Sequence, residues 1–261
     1  MKHGSLFSGI GGFDLASEWM GWENVFHCEW NDFGKKVLKY YWPKAISYDD
    51  ITKTDFTIHR GSIDILTGGF PCQDASLAKQ DGRGQKGLEG DRTGLWLHMV
   101  RAIEEIRPKY VVAENVENIL RTNNGRDFRK ILNNLVRLVY NAEWRITRGS
   151  DVGAAHHRSR CFLVAYPDSI RLQQGQSFFS YVVKEIPKKR RLFTRTNASI
   201  GVSWPIQPSV CFVDDGLSNR LDGITFSKWR AESIKAGGNA IVPQVAYQIF
   251  KAIEEHGKHN Q

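Results

Sequence analysis

The chain lacks the cysteine spacing that a metal knuckle or a disulfide framework needs. Its four cysteines, Cys28, Cys72, Cys161 and Cys211, stand far apart and form no C-x-x-C pair. Each is therefore expected as a reduced thiol, with no metal site. Taken singly, the plain reading of such a thiol is a small buried hydrophobe. Long apolar runs are missing too: none approaches the ~20 residues that cross a bilayer, which excludes a membrane-spanning helix. Met1 to Phe7 leads straight into glycine-rich sequence without a signal-peptide pattern, so the expected address is cytoplasmic. Repeats and low-complexity tracts are absent, which excludes solenoid architectures. Charge balance is absent as well. The net charge of +8 and pI near 9.3 suit a polyanionic partner, although many basic proteins bind no nucleic acid.

What is present is an ordinary globular composition, 41% hydrophobic and 25% charged, over 261 residues, enough for one large domain or two smaller ones. Residues 1–165 alternate short apolar runs with amphipathic stretches, the pattern of an α/β parallel sheet. Strands are expected before Phe7, over Asn24–Cys28 ending at Glu29, over Ile63–Thr67 ending in Gly68-Gly69, over Tyr110–Ala113 ending at Glu114, and over Cys161–Ala165. A further strand is expected before Asp50. Leu95, Met99, Val100, Ile103 and Ile106 have helical spacing, and Arg107-Pro108 stops that helix. Phe128, Ile131, Leu132, Leu135 and Leu138 predict a second helix, and Ile241, Val245, Ile249 and Ile253 a third across Asn239 to Ile253. Polar residues recur at the carboxyl ends of strands, where open α/β sheets bind ligands. Residues 166–220 break the pattern. They carry eight Lys/Arg against four Asp/Glu, net +4, with interleaved Phe178, Phe179, Tyr181, Phe193 and Trp204. They read as a small separate lobe or as a solvated insertion with a basic face.

Phe7-Ser8-Gly9-Ile10-Gly11-Gly12 places three glycines between a strand and a helix, where backbone can approach a nucleotide-like ligand or merely turn tightly. Glu29, about 20 residues on at the end of the second strand, strengthens the ligand reading, because an acid there accepts hydrogen bonds from ribose hydroxyls. Trp30 could cover an adenine face, and Asp50-Ile51 would suit its amino group and ring. Gly69-Phe70-Pro71-Cys72-Gln73 is the sharpest feature. A thiol on a rigid Pro-Cys turn after a strand sits at the sheet edge, and a nearby cation would favour the attacking thiolate. Asp74 to Arg92, rich in glycine and mixed charge, would make a lid or an idle surface loop. Glu114 adds a carboxylate at another strand end. Arg158 and Arg160 alternate just before a strand and can share one face; surface salt bridging is the plain reading for each.

In order along the chain, these motifs resemble the DNA cytosine-5 methyltransferase family of bacterial and phage type. The matching residues are Phe7 to Gly12, Glu29, Asp50-Ile51, Gly69 to Gln73, Glu114-Asn115-Val116, Arg158-Ser159-Arg160 and Gly238-Asn239-Ala240-Ile241-Val242-Pro243. The resemblance implies a Rossmann-like class I methyltransferase sheet using S-adenosyl-L-methionine. It implies a catalytic domain over 1–165, a target-recognition lobe over 166–220, and a segment over 221–261 returning to the catalytic domain. It assigns the nucleophile to Cys72, which adds to carbon 6 of a flipped-out cytosine, with Glu114 on ring nitrogen 3, Arg160 on the carbonyl oxygen and Arg158 supporting that pocket. It assigns cofactor contacts to Phe7, Gly9, Gly11, Gly12, Glu29, Trp30, Asp50, Ile51, Leu95 and Asn239. Double-stranded DNA would be the partner of a monomer, with a companion restriction endonuclease. Two positions depart from the family pattern, and the recognition lobe is short, which implies a small footprint or a supplementing partner. Asp74-Ala75-Ser76 replaces Pro-Phe-Ser, keeping Ser76 as a phosphate contact, and His156 replaces a glutamine.

Two other functions fit parts of the sequence. A methyltransferase acting on transfer RNA would share the Pro-Cys-Gln core, but Gly69-Phe70 before it and the absence of a Cys-Phe-Thr signature favour DNA. A catalytically silent DNA-binding protein would need neither Cys72, nor Glu114, nor the glycine loop.

Overall fold

The computed structural model describes residues 1–71, 94–153, 158–170, 177–180, 182 and 226–259. Along the chain run β1 (Lys2–Leu6), α1 (Gly12–Trp19), β2 (Glu23–Cys28), α2 (Asp32–Tyr41), β3 (Ile46–Tyr48) and β4 (Ile65–Gly69). They are followed by α3 (Leu95–Ile106), β5 (Tyr110–Val116), α4 (Arg126–Arg137), β6 (Tyr140–Arg148) and β7 (Ser159–Pro167). Helices α5 (Phe226–Asn239) and α6 (Pro243–His259) close the described chain. The strands form one sheet in the order β3-β2-β1-β4-β5-β7-β6. β1 to β5 pair in parallel, and β7 enters antiparallel between β5 and β6. This is the expected α/β, Rossmann-like sheet, with one antiparallel member that the parallel reading of residues 1–165 did not include.

Helices cover both faces, as buried parallel strands require. Trp96, Met99 and Ile103 of α3 join Phe128, Ile131 and Leu135 of α4 in one apolar layer. Phe13 and Ala16 of α1 meet Val245, Ile249 and Phe250 of α6 in the other. Phe250 is fully buried, its ring 4.9 Å from that of Trp22 and 6.3 Å from that of Phe13, stacked on both.

Several elements differ from expectation. β4 and β5 run past their expected ends, through Gly68-Gly69 and Glu114, because their backbones pair with each other there and β5 goes on pairing with β7. α2, β6 and α5 were not anticipated. The helix expected from Asn239 starts later, as α6 at Pro243, whose fixed φ suits a first helical position. Phe178 and Phe179, two aromatics of the expected recognition lobe, are buried among Tyr110, Tyr166 and α6 instead. Glu143 of β6 pins them by accepting from Phe178 N at 3.0 Å and from the Ser177 hydroxyl. Among the described residues no helix is long and apolar enough to cross a membrane.

A buried polar chain lies between β1 and α1. Ser5 Oγ donates to the Asp14 carboxyl at 2.9 and 3.0 Å and touches Ser8 Oγ at 2.6 Å. Asn24 Nδ2 donates to the Asp14 carbonyl at 3.0 Å, and Asn24 Oδ1 meets His3 Nδ1 at 2.6 Å. His3 Nε2 lies 2.8 Å from Thr67 Oγ1. Burial lowers the His3 pKa to about 4 and raises that of Asp14 from 3.8 to about 7. Folding therefore takes up a proton at Asp14 between these two values, and this group's contribution to stability falls as pH rises through that window. His3 acts oppositely, costing stability as pH falls from 6.5 towards 4.

Two measurements check this packing. Phe250→Ala should cost about 3–5 kcal/mol in urea unfolding. Asp14→Asn should unfold with nearly the wild-type midpoint at pH 4 but gain on the wild type as pH rises to 8, by on the order of 4 kcal/mol. Parallel pH dependence of the two proteins would contradict the buried-acid account.

Candidate active site

β1 delivers the glycine loop to the carboxyl edge of the sheet, where it bends through three left-handed residues, Phe7, Gly9 and Gly11 (φ 51°, 58° and 83°). A side chain at Gly11 would put its Cβ 2.3 Å from the Trp42 ring, and one at Gly12 would put it 2.8 Å from Cβ of Ile241. The loop is anchored to β2 by Ser8 N, which donates to Cys28 O at 3.2 Å. Glu29 then ties it down: Oε2 accepts from Gly9 N and Oε1 from Asn31 N, both at 2.7 Å. Burial pushes the Glu29 carboxyl above its ordinary range, opposed by those backbone donors. Each oxygen keeps a lone pair for a ligand hydroxyl.

Trp30 follows with its indole 72% exposed, free to lie against a flat ring. Asp50 sits after the neighbouring β3, because Glu29 N bonds to Tyr48 O at 3.0 Å. Its Oδ1 accepts from Thr52 N and Thr52 Oγ1 at 2.9 and 2.7 Å, which lowers its pKa, and Oδ2 lies 3.5 Å from Lys53 Nζ. Ile51 is buried beside it, and Arg101 of α3 fixes this turn by donating to Thr54 O at 2.9 Å. Leu95 opens α3, half-buried against the core, while Asn239 stands exposed at the end of α5. Phe7, Gly9, Gly11, Gly12 and Glu29 thus form one cradle, with Trp30 and Asp50-Ile51 on the adjoining strand ends. Backbone donors, a carboxylate with spare lone pairs and an uncovered indole fit an adenosine-type cofactor.

The second half of the site is built by β4, β5 and β7. Gly69 pairs in register with Glu114, and Val116 with Arg160. Gly69 has room for no side chain that does not press on Ile241 (3.2 Å) and approach Glu114 Oε2 (3.5 Å). Asn115 Nδ2 donates to Phe70 O at 3.1 Å, holding the chain just before Pro71 against β5. Glu114 is only 7% exposed. Arg160 Nε lies 2.9 Å from its Oε1, an ion pair whose alignment falls short of a hydrogen bond, so Oε1 is a buried acceptor with no hydrogen-bond partner among the described residues. Desolvation dominates, raising the Glu114 pKa to about 7 against the pull of Arg160 and Arg158. Burial lowers Arg158, whose guanidinium donates to the Gly238 carbonyl.

A cleft lined by Phe70, Glu114, Asn115, Ile119, Phe128 and Cys161 adjoins this carboxyl group. Cys161 is no nucleophile: burial, and then Glu114, push its thiol up to about 12. Cys28 is pushed equally high by burial and Glu29. A thiol needs thiolate character to attack, so both described cysteines are inert packing. Cys72 lies outside the described residues, as do Ser76 with the rest of the 74–92 loop, His156 and most of 166–220.

Residues not singled out from the sequence complete the site. Gly34, in the first turn of α2, would put a Cβ 2.5 Å from Gly9 O and 2.9 Å from Glu29 Cγ. Glycine costs a helix ~1 kcal/mol relative to alanine, so its place there was a readable signal of close approach. Asn31 caps α2 by accepting from Phe33 N and Gly34 N. Ile241, between α5 and α6, touches both the Gly12 and the Gly69 turns; the sequence marked it as a helix position and as part of the Gly238–Pro243 motif, not for this role.

Residues 1–202 match the family described as C-5 cytosine-specific DNA methylase. The chain is 29% identical over 222 residues to the Type II methyltransferase M.Sau3AI of Staphylococcus aureus, covering 77% of this chain and 50% of that one. It is 31% identical over 171 residues to the Type II methyltransferase M.HhaI of Haemophilus parahaemolyticus, covering 66% and 50%. It thus spans about half the length of these relatives. A crystal structure of a candidate DNA modification methyltransferase from an E. coli prophage superposes with a TM-score of 0.55 at 25% identity, covering 66% of this chain and 48% of that one. With the family match extending over most of its length, the chain belongs to the C-5 cytosine-specific DNA methylase family.

Proposed function

We propose that this chain is a DNA cytosine-5 methyltransferase that uses S-adenosyl-L-methionine and attacks its base with Cys72. The observation that carries the reading is Glu114, a buried carboxyl group near half-protonation, paired with Arg160 and level with the backbone that leads into Pro71 and Cys72. Such a group can give a proton or a strong hydrogen bond at neutral pH. Family membership and Type II relatives favour DNA over transfer RNA as the substrate.

Phe7, Gly9, Gly11 and Gly12 would cradle the cofactor, Glu29 would hold its ribose hydroxyls, and Trp30 and Asp50-Ile51 its adenine, with Leu95 and Asn239 on the pocket wall. The bound cofactor supplies an electrophilic methyl group on a sulfonium. Cys72 thiolate adds to carbon 6 of a cytosine swung out of the duplex, and the electron pair moves to carbon 5. Glu114 meets the charge that develops at nitrogen 3. Arg160 keeps Glu114 in place and offers its remaining N–H groups to the base carbonyl oxygen, and Arg158 braces the pocket against Gly238. Loss of the carbon 5 proton and expulsion of Cys72 restore the ring. The protein would act on double-stranded DNA as a cytoplasmic monomer alongside a restriction endonuclease.

Cys72→Ala should abolish transfer of labelled methyl groups to duplex DNA while leaving S-adenosylmethionine affinity intact by calorimetry. Unchanged transfer sinks the mechanism, and a wild type that binds duplex DNA without methylating it makes this a binding protein. Because the protonated form of Glu114 does the work, kcat/KM should decline as pH rises through about 7. Glu114→Gln should lose that limb along with ~10²–10⁴-fold in rate.

A further inference from the structure

Residues 118–142 carry five basic residues, Arg121, Arg126, Arg129, Lys130 and Arg137, and one acid, Asp127, a net +4 that is half the charge of the whole chain. All five are exposed, whereas Asp127 is buried and accepts from Asn123 at 3.0 and 3.2 Å. Arg126, Arg129, Lys130 and Arg137 follow helical spacing along α4, opposite the buried stripe of Phe128, Ile131 and Leu135. Like charges three and four residues apart destabilise a helix, and Arg126 in its first turn opposes the helix dipole, although Arg137 in the last turn favours it. Folding alone does not favour this arrangement.

The strip also has a direction. α4 follows β5 through two 3-10 turns, Glu117–Leu120 and Thr122–Gly125, so Arg121 and Arg126 lie towards the rim that carries Glu114. β6 packs alongside, its Trp144 edge-on to Phe128 at 5.2 Å. Arg148, four residues on and exposed, shares the Trp144 face and lies next to the Thr147–Arg160 pair. Of the acids nearby, Glu143 holds Ser177 and Phe178, and Asp151 accepts from Arg148 N at 2.8 Å, while Glu117 lies half-buried in the first of these turns, four residues before Arg121.

We propose that the exposed face of α4, with Arg121 and Arg148 at its rim end, is a docking surface for the phosphate backbone of duplex DNA flanking the target base. This rests on the proposed function. The twelve residues of α4 span ~18 Å, the length of about five base pairs. Guanidinium groups on a helix face bind phosphates without reading bases, so this surface sets affinity and register while sequence is read elsewhere.

The test is the salt dependence of binding by the full chain to a duplex labelled with fluorescein. Each lost phosphate contact removes about 0.9 from the slope of log affinity against log salt. The triple variant Arg126→Gln, Arg129→Gln, Lys130→Gln should flatten the slope by about 2–3. It should weaken binding at least tenfold at 0.15 M salt, with S-adenosylmethionine affinity and the melting temperature unchanged or improved. Arg126→Lys with Arg129→Lys should keep the wild-type slope. A triple variant that is folded and has the wild-type slope overturns the docking surface while leaving the methyltransferase reading standing. If the triple variant fails to fold, Arg137→Gln decides by the same slope. Flattening seen only with single-stranded RNA overturns the choice of DNA. A wild type with no affinity for duplex DNA overturns both proposals.

Discussion

Water is kept from the carboxyl group of Glu114, and the chemistry of the rim depends on that dryness. Two guanidinium groups pull its proton off, yet desolvation wins and leaves the acid near half-protonation. The dryness has a structural source. β5 is covered on both faces, and β7 brings Arg160 in antiparallel, level with Val116, so that the ion pair forms without opening the layer to solvent. A side chain at Gly69 would press its Cβ to 3.2 Å from the end of Ile241, which seals the other flank. A polar group exposed to water at this point would revert to ordinary carboxylate behaviour.

The glycine-loop end of the rim follows the same logic of close approach, with backbone in place of side chains. Gly12 and Gly34 each leave out a Cβ that would collide with Ile241 or with the Gly9 carbonyl. Glu29 can therefore reach two amide donors at once. Beneath the loop, Ser5 and Ser8 link it to Asp14, a carboxyl group that the fold prefers neutral.

Much of this was legible from the sequence because it is local. The glycine loop, Glu29, the Phe70-Pro71 turn and Glu114 stand at strand ends that short apolar runs reveal, and the structure puts them on one edge of one sheet. What escaped depends on distant parts of the chain. Phe178 and Phe179 looked like ligands because aromatics among basic residues resemble a nucleic-acid surface, but their burial requires α6, more than sixty residues on. β6 was missed because as an edge strand it alternates weakly, with Arg145 and Arg148 exposed. The positive face of α4 was overshadowed by the equal charge of 166–220, since composition does not say which residues share a surface.

Ile241 gives the architecture a temporal order. All seven strands are encoded before residue 168, yet the turns at Gly12 and Gly69 are closed by a side chain that leaves the ribosome some seventy residues later. The apolar stripe of α1, including Phe13 and Ala16, waits equally long for Val245, Ile249 and Phe250. A nascent chain can thus pair its sheet early, but the glycine turns at its carboxyl edge are closed only once the segment from Ile241 to Phe250 has been made.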